Sequence, residues 1–518
     1  MELDVRLGVI EDDVGQVLED LDDRHAVVRM VGRDHTLWQD DPTEVADRLG
    51  WLDCPSAMRA HVPRLLEVAD RCSADGLERV VVLGMGGSSL FPEVLARTFG
   101  SRPDRLQITV LDTTHPAAVA RVSSDWPPAR TLFLAASKSG TTIETRSHLE
   151  HFWAEHPVPA CFAATTDPGS ELAALAAERS FRATFENPPD IGGRYSALSL
   201  FGLVPAALAG IGIDGLLDGG ALALDRLAMA EQLAAVMAGG VAAGRDKLTF
   251  VLDHRIDSFG LWLEQLIAES TGKHGTGVVP VVGEPLGPPE VYGDDRVFVV
   301  VGDPGDEQMA ALDALAGVGQ PVVSIPLAGA DLTVDLGFQV VLWEEATALC
   351  GAALDLNPFD QPDVAAAKAA TQQVLDAGSV PEVPSQPVGA ALAGVVPGDY
   401  VAIQAFVDPG SSAVDDLERV RVAIRDRYRV AATVGLGPRY LHSTGQLHKG
   451  GPPTGVFLQV LGDAGDAGDD DVAIPGEPFG FATLLSAQAA GDLTTLRDRG
   501  LRASRVDLHE LLDWETSR

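Results

Sequence analysis

A short segment rich in hydroxyl groups carries the clearest chemistry in this sequence. Two serines, two threonines and a lysine occur close together: Ser137, Lys138, Ser139, Thr141 and Thr142. They lie between an apolar run and a helical pattern, where the first turn of a helix offers free N–H groups and partial positive charge. A helix cap alone needs only one or two hydroxyl groups. The segment 137–142, called the phosphate loop below, is therefore predicted to bind phosphate.

A glycine-rich segment after an earlier apolar run predicts a second contact with the same ligand. Gly84 to Ser89 begins like a dinucleotide-binding fingerprint, but Ser89 stands where the third glycine is required. Ligands of parallel sheets bind beyond the carboxyl ends of the strands. We therefore expect Gly87 and Ser88 to share a crevice with the phosphate loop. A tight strand-to-helix turn is the alternative interpretation.

Two charged residues further along could move protons and stabilise charge. Arg194 follows two glycines before a buried helix, and Glu269 ends a helical pattern before Gly272. A guanidinium group can stabilise a developing oxyanion. A carboxylate shielded by apolar neighbours can act as a general base. On these residues alone, a pairing of Arg194 with Asp190 and a surface position for Glu269 stay open.

The elements that must position these residues alternate between strands and helices. Three series of apolar runs predict strands at 79–83, 107–111, 131–135 and 160–164, at 248–252, 296–301 and 321–325, and at 400–407, 429–434 and 456–461. Segments with helical spacing separate them. This alternation predicts an α/β fold in which helices cover both faces of parallel sheets.

Shifts in composition divide the chain into five predicted parts. These are a mostly helical N-terminal extension (1–76), two α/β domains (77–220 and 221–378), a linker (379–398) and a C-terminal α/β segment (399–518). The acidic Gly/Asp run 462–471 is predicted to be a solvent-exposed loop.

Charge and cysteine content limit the possible partners and location. The formal net charge of −37 argues against binding to nucleic acid or to anionic membranes, so a phosphate site needs local cations. The four cysteines show no metal-ligand spacing, which indicates reduced thiols. Because no signal peptide or membrane span is evident, we expect a cytoplasmic protein.

Taken together, these segments resemble the glucose-6-phosphate isomerase family. Five segments follow the family's order: Gly-Gly-Ser at 86–88, Ser-Lys-Ser-Gly-Thr-Thr at 137–142, Gly-Gly-Arg at 192–194, Glu-Ser-x-Gly-Lys at 269–273 and Asn-Pro-Phe-Asp-Gln-Pro at 357–362. The loop 439–452 is similar to the form found as the isomerase half of transaldolase–isomerase fusions. No transaldolase portion is evident in this chain.

The resemblance implies a fold, an assembly and a set of site residues. It implies two sugar-isomerase (SIS) domains, each a three-layer αβα sandwich with a parallel sheet, an active site between them and a homodimer. The phosphate would be bound by Gly87, Ser88, Ser137, Lys138, Ser139, Thr141 and Thr142, with Gln361 as a further substrate contact. Arg194 would stabilise an enediolate and Glu269 would transfer the proton. Lys368, with a histidine, would assist ring opening.

The ring-opening histidine is the one departure from the family pattern. In the family it follows the base, often in a segment supplied by the neighbouring subunit, but no histidine occurs at 293–303. His442, His448 and His274 are the candidate replacements, and we favour His442.

The predicted activity is interconversion of glucose 6-phosphate and fructose 6-phosphate by proton transfer through an enediolate. Such a reaction requires neither a cofactor nor a metal ion, and we expect none. One alternative is an isomerase with broader substrates that also accepts mannose 6-phosphate. Another is an SIS sugar-phosphate sensor that binds its ligand without turnover.

Overall fold

Strands and helices alternate along most of the chain, as the sequence predicts. The computed structural model describes residues 2–327, 329, 331–462 and 471–514. The strands are β1 (Asp4–Arg6), β2 (Arg79–Gly84), β3 (Gln107–Leu111), β4 (Thr131–Ala136), β5 (Phe162–Thr166), β6 (Ala183–Glu186), β7 (Lys247–Leu252), β8 (Val279–Val281), β9 (Arg296–Val301), β10 (Val322–Ile325), β11 (Tyr400–Phe406), β12 (Ala431–Leu436), β13 (Gly455–Leu461) and β14 (Arg502–Arg505).

The helices cover the sheets and fill the space between them. They are α1 (Glu11–Asp23), α2 (Ala26–Val31), α3 (Cys54–Ala57), α4 (Val62–Ala74), α5 (Leu90–Phe99), α6 (Pro116–Asp125), α7 (Ile143–Glu155), α8 (Glu171–Glu178), α9 (Leu200–Ala209), α10 (Ile213–Leu224), α11 (Leu227–Ala242), α12 (Phe259–Thr271), α13 (Asp306–Gly317), α14 (Leu332–Ala353), α15 (Val364–Asp376), α16 (Val388–Leu392), α17 (Ala413–Tyr428), α18 (Gly445–Gly450), α19 (Phe481–Asp498) and α20 (Leu508–Trp514).

The strands form three sheets. The first has the order β3-β2-β4-β5-β6 and is parallel throughout. The second has the order β1-β10-β9-β7-β8, and only its edge strand β1 is antiparallel. The third, β12-β11-β13-β14, is parallel. The predicted α/β class with parallel sheets is therefore confirmed.

Burial explains why the central strands are apolar along their whole length. Every residue of β4 and of β11 is buried, as expected of a strand that helices cover on both faces. One large apolar cluster joins the first two sheets and the helices around them. The third sheet and its helices have a separate cluster that includes Val401, Ile403 and Leu458. Residues 399–462 and 471–514 are called the C-terminal unit below.

Several elements differ from those predicted, and length or burial gives the reason. Strand β8 has only three residues, which is too few for a recognisable pattern. Helix α14 is buried along nearly all of its 22 residues, so it lacks a polar face, and the sequence indicated only its second half. The single long helical region predicted after residue 198 is three helices, and the first ends at Gly210 in the left-handed conformation.

The predicted linker contains the short helix α16. Most of the acidic run predicted as a loop, residues 463–470, lies outside the described residues. Among the residues that are described, no helix is both long and apolar enough to cross a membrane.

The register of the first sheet places the two predicted ligand-binding loops side by side. Strands β2 and β4 are neighbours, and Gly84 at the end of β2 is level with Ala136 at the end of β4. The glycine-rich segment and the phosphate loop therefore leave the same edge of the sheet at the same height.

Candidate active site

The phosphate loop forms a tight turn between β4 and α7. The Ser137 hydroxyl accepts a hydrogen bond from the backbone N–H of Gly140 at 3.1 Å and lies 3.1 Å from the Thr142 hydroxyl. Gly140 has a φ of +76°, a conformation that glycine adopts without strain. Ser139 and Thr141 are exposed, and their hydroxyl groups lie 2.7 Å apart. The loop thus presents hydroxyl groups at the start of α7.

Lys138 contacts other parts of the protein. Its ammonium group forms an ion pair with Asp167 and donates a hydrogen bond to the carbonyl of Pro189 at 2.7 Å. These contacts connect the phosphate loop to the segments that follow β5 and β6. The predicted role of Lys138 in phosphate binding stays a prediction, and its visible role is to hold the loop in place.

Gly87 and Ser88 belong to a short 3-10 turn that packs against the segment carrying Arg194. A Cβ atom on Gly87 would lie 1.8 Å from the carbonyl oxygen of Gly193, so only glycine fits this position. Ser88 is half-buried at the end of the turn. This close approach of two backbones brings the first loop next to Arg194.

Arg194 is buried and fully engaged, with a side chain only 3 % exposed. Its Nε lies 3.2 Å from Oε2 of Glu269. Its remaining nitrogens donate to the carbonyls of Glu269, Pro358 and Asp360 at 2.7–3.1 Å and to Oε1 of Gln361 at 2.5 Å. The partner of Arg194 is thus Glu269, and the alternative pairing with Asp190 is not the one found.

Glu269 lies near the end of α12 and is not a surface residue, since its side chain is 13 % exposed. Gln265, one turn earlier, donates from Nε2 to Oε2 of Glu269 at 3.1 Å and to the backbone carbonyl of His442 at 2.9 Å. Oε1 of Gln265 is buried and has no hydrogen-bond partner among the described residues.

His442 reaches the first domain from the C-terminal unit. Its Nε2 lies 2.8 Å from Oε1 of Glu144, which also accepts a hydrogen bond from Gln488 at 2.7 Å. Burial opposes ionisation of Glu144, but the charge and the hydrogen bond of His442 outweigh it and lower the pKa of Glu144 to about 2. The carboxylate is therefore charged at neutral pH and fixes the orientation of the imidazole.

A cavity of about 230 Å³ lies between the end of the phosphate loop, α15 and the turn that carries His442. Its lining combines hydroxyl groups, one carboxylate and basic side chains, from Thr141, Thr142, Glu144, Lys368, His442 and Lys449. Lys368 is exposed on α15. Glu269 and Arg194 are not among the described residues that line this cavity. Gln265 links Glu269 to the backbone of the cavity residue His442, and Arg194 is linked through its ion pair with Glu269.

The other two candidate histidines lie in unsuitable places. His448 is buried beside Tyr400 and Phe457, its Nδ1 lies 3.2 Å from Gln404, and burial lowers its pKa to about 3. His274 is exposed in a turn, with a φ of 54°. The structure therefore favours His442.

Sequence reasoning did not single out Glu144, Gln265 or Lys273 as members of the site. Lys273 is fully buried and donates 2.6 Å to the Asp360 carboxylate, in the same turn whose carbonyls bind Arg194. Burial, followed by the charge of Arg194, lowers the pKa of Lys273 to about 8. The one signal for Glu144 was its position two residues after the phosphate loop. Within the described part of the chain, no group of His, Cys, Asp or Glu could hold a metal ion.

The parallel sheets, the phosphate loop and the buried Arg194–Glu269 pair define an α/β protein of the sugar-isomerase (SIS) type. The family model for phosphoglucose isomerase matches residues 68–282. Glucose-6-phosphate isomerase of Rubrobacter xylanophilus is 31% identical over 388 residues, which cover 64% of this chain and 89% of the relative. The enzyme of Thermus thermophilus is 30% identical over 391 residues, 64% of this chain and 91% of the relative. The chain belongs to the glucose-6-phosphate isomerase family.

Solved structures show the same architecture. A hypothetical protein of Thermus thermophilus has a TM-score of 0.59 at 26% identity and covers 72% of this chain and 99% of its own. A glucose-6-phosphate isomerase of Chlamydia trachomatis has a TM-score of 0.59 at 19% identity, and the match covers 70% of this chain and 86% of that enzyme. The second likeness concerns the fold alone.

Proposed function

We propose that this protein interconverts glucose 6-phosphate and fructose 6-phosphate. The observation that carries the proposal is the buried Arg194–Glu269 pair, connected through Gln265 to a histidine-lined cavity that begins at the phosphate loop. The predicted enzyme class agrees with the names of the curated relatives.

Substrate binding starts at the phosphate. Hydroxyl groups of the phosphate loop and the N-terminus of α7 bind the dianion, as predicted from the sequence. Lys368 supplies local positive charge against the acidic surface of the protein. Anchoring the phosphate orients the distant carbons, and this contribution raises the rate as well as the affinity.

Ring opening precedes the proton transfer. His442, oriented by the Glu144 carboxylate, exchanges a proton with the ring oxygen of the sugar, and Lys368 assists from the same cavity wall. The bond between C1 and the ring oxygen breaks, and the ring oxygen keeps the proton from His442. The C1 hydroxyl loses its proton to water as the carbonyl group forms, so one proton gained balances one lost.

Glu269 then moves one hydrogen between two carbons. Its carboxylate removes the proton from C2, and the electrons of that bond form the enediolate. The proton held by Glu269 exchanges in part with solvent before the carboxyl group delivers a proton to C1. The C2 hydroxyl loses its proton as the C2 carbonyl forms, and the C1 oxygen gains one. The N–H groups of Arg194 are bound by protein acceptors, so its guanidinium acts through its positive charge, which stabilises the negative oxygen of the intermediate. Because the electrons stay within the substrate, the protein needs no external oxidant or reductant.

The proposal is tested with the purified protein and both hexose phosphates in deuterated water. We expect turnover in both directions and deuterium at C2 of glucose 6-phosphate. Glu269→Gln should reduce turnover on the order of 10²–10⁴-fold, the usual contribution of a general base. Near-normal turnover in a folded Glu269→Gln protein would show that another residue is the base. Mannose 6-phosphate, assayed in parallel, measures how broad the substrate range is.

We also propose that the chain has the form found as the isomerase half of transaldolase–isomerase fusions. Support comes from the loop 439–452 and from the share of this chain, about a third, that lies outside the 64% matched by the curated relatives. Superposition of the C-terminal unit on the structure of such a fusion tests the proposal, which fails if the fusion lacks an equivalent four-stranded sheet.

A cytoplasmic location and a homodimer are further proposals. The four cysteines are buried and unpaired, which suits a reducing compartment. Cell fractionation tests the first proposal, and light scattering of the purified protein tests the second.

A further inference from the structure

One short turn of the C-terminal unit carries two side chains to the first sheet. The 3-10 turn Arg439–His442 follows β12 and precedes α18. Its first residue, Arg439, and its last, His442, each meet a carboxylate of the first domain. The turn is therefore attached at both of its ends.

Arg439 forms a two-pronged ion pair with Asp112. Its Nε and Nη2 lie 2.8 Å from Oδ2 and Oδ1 of Asp112, respectively. The Asp112 side chain is 4 % exposed and that of Arg439 is 18 % exposed. Asp112 directly follows β3, at the carboxyl edge of the first sheet. Two parallel hydrogen bonds of this kind fix orientation as well as distance.

The other end of the turn meets the same edge of the same sheet. Glu144, the partner of His442, lies at the start of α7, which follows β4 and the phosphate loop. Strands β3 and β4 flank β2. The carboxylates of Asp112 and Glu144 thus rise from one rigid sheet and set the position of the turn between them.

Further bonds hold the rest of the turn. Tyr440 donates from its hydroxyl group to Asp492 of α19 at 2.7 Å, and the carbonyl of His442 accepts the bond from Gln265. The first of these bonds fixes the turn to its own unit. Among the bonds described for these residues, the Arg439–Asp112 pair is the only one that couples the start of the turn to the first sheet.

We propose that Asp112 and Arg439 are positioning residues, whose ion pair sets the turn so that His442 completes the cavity of its own chain. The proposal rests on the proposed function, because it assigns His442 to ring opening. Misplacement of a reacting group by about 1 Å costs on the order of 100-fold in rate. The ion pair does not itself touch the cavity, so its effect must pass through His442.

The molecule offers a matched control for this pair. Arg121 of α6 forms a second two-pronged ion pair between the same two units, with both nitrogens 2.6 Å from the Asp408 carboxylate. Arg121 and Asp408 lie outside the turn that carries His442. Arg121→Gln therefore removes a two-pronged ion pair between the same units but keeps the Asp112–Arg439 pair that holds the turn.

The experiment measures isomerisation and anomerisation of glucose 6-phosphate in the full-length protein. Exchange between the α and β anomers needs ring opening but no proton transfer from C2, so it reports on His442 separately from Glu269. We expect Asp112→Asn to lower both rates by about 10–100-fold, with KM changed by less than about two-fold. Arg439→Lys keeps the charge but not the two-pronged geometry, so its loss in both rates should be smaller than that of Asp112→Asn. Both rates of Arg121→Gln should stay within about two-fold of those of the unmodified protein.

Each outcome decides the matter. The proposal is overturned if Asp112→Asn keeps its anomerisation rate, or loses no more of it than Arg121→Gln does. Circular dichroism and thermal unfolding show whether each variant is folded, and Arg439→Lys and Asp112→Glu replace Asp112→Asn if it is not. If the unmodified protein opens the ring without isomerising the sugar, the proposed function fails while the positioning role is still tested by anomerisation.

Discussion

Oε1 of Glu144 lies 2.8 Å from Nε2 of His442, although 298 residues separate them in the sequence. The contact joins the start of α7, just after the phosphate loop, to the C-terminal unit. Gln488 of α19 donates to the same carboxylate oxygen, and Thr114 donates to Gln488 at 2.8 Å. His442, the residue that we propose for ring opening, thus has a fixed orientation in a part of the chain that the family model, residues 68–282, does not reach.

Replacing His442 should remove ring opening and, with it, isomerisation. We expect His442→Asn to lower both the anomerisation and the isomerisation rate by about 10²–10⁴-fold, the usual contribution of an acid–base group. Glu269→Gln should lose isomerisation but keep anomerisation. Nuclear magnetic resonance of the two anomers measures one rate, and a coupled assay measures the other.

The exposed His274 provides the control for this prediction. His274→Ala should change neither rate by more than about two-fold, because surface substitutions away from a site have small effects. A loss in His274→Ala equal to that in His442→Asn would contradict the assignment of His442.

Glu144→Gln should slow ring opening, because it removes the carboxylate that orients His442. It should also change how the stability of the protein depends on pH below 4.5. The pKa of Glu144 is about 2, below its usual value of 4.5, so the folded state gains from ionisation. This gain is complete above about pH 4.5 and is lost as the pH falls through 2. Urea unfolding at several pH values gives the free energy of unfolding of the unmodified protein and of Glu144→Gln. The difference between these two free energies should shrink below pH 4.5. A difference that stays constant down to pH 2.5 would contradict the ion pair.

Gly87→Ala should damage both stability and activity because of its contact with Gly193. The new Cβ atom would lie 1.8 Å from the Gly193 carbonyl oxygen, and relief of that clash must move the backbone next to Arg194. We expect a loss of about 1–3 kcal/mol in the free energy of unfolding, as for other overpacked sites.

Gly193→Ala is the matched control for the previous variant. A Cβ atom on Gly193 meets no atom within 4 Å, so the change should leave the stability within about 0.5 kcal/mol. Equal melting temperatures of the two variants would contradict the close contact between the two loops.

Glu264→Gln should stabilise the protein at pH 8 but not at pH 4.5. Burial raises the pKa of Glu264 from its usual 4.5 to about 7, and the negative charge of Glu418 acts in the same direction. The folded state therefore holds a proton that the unfolded state loses, and this contribution to stability disappears as the pH rises from 4.5 through 7. The expected gain at pH 8 is about 1–3 kcal/mol, measured by chemical unfolding. An equal effect at both pH values would show that packing, not ionisation, is responsible.

The first sheet shows how far local sequence pattern reaches. The runs at 79–83, 107–111 and 131–135 match β2, β3 and β4 to within a residue. Strands β2 and β4 are buried along almost their whole length, which makes their apolar runs continuous, whereas the edge strand β3 is only partly buried. The short strands β1, β8 and β14 carry no such pattern. The first half of α14 was missed because burial on all sides removes the polar face that marks a surface helix.

Residue types and their spacing alone determined the family, the α/β class and the choice of Arg194, Glu269 and the phosphate loop. Loops that follow neighbouring parallel strands must meet at one sheet edge, so local pattern suffices for them. Tertiary structure alone decided the partners of these groups. The pairs Glu144–His442 and Asp112–Arg439 join separate units across about 300 residues of chain. Contacts of that kind depend on how one packed unit docks on another, and no local periodicity records it.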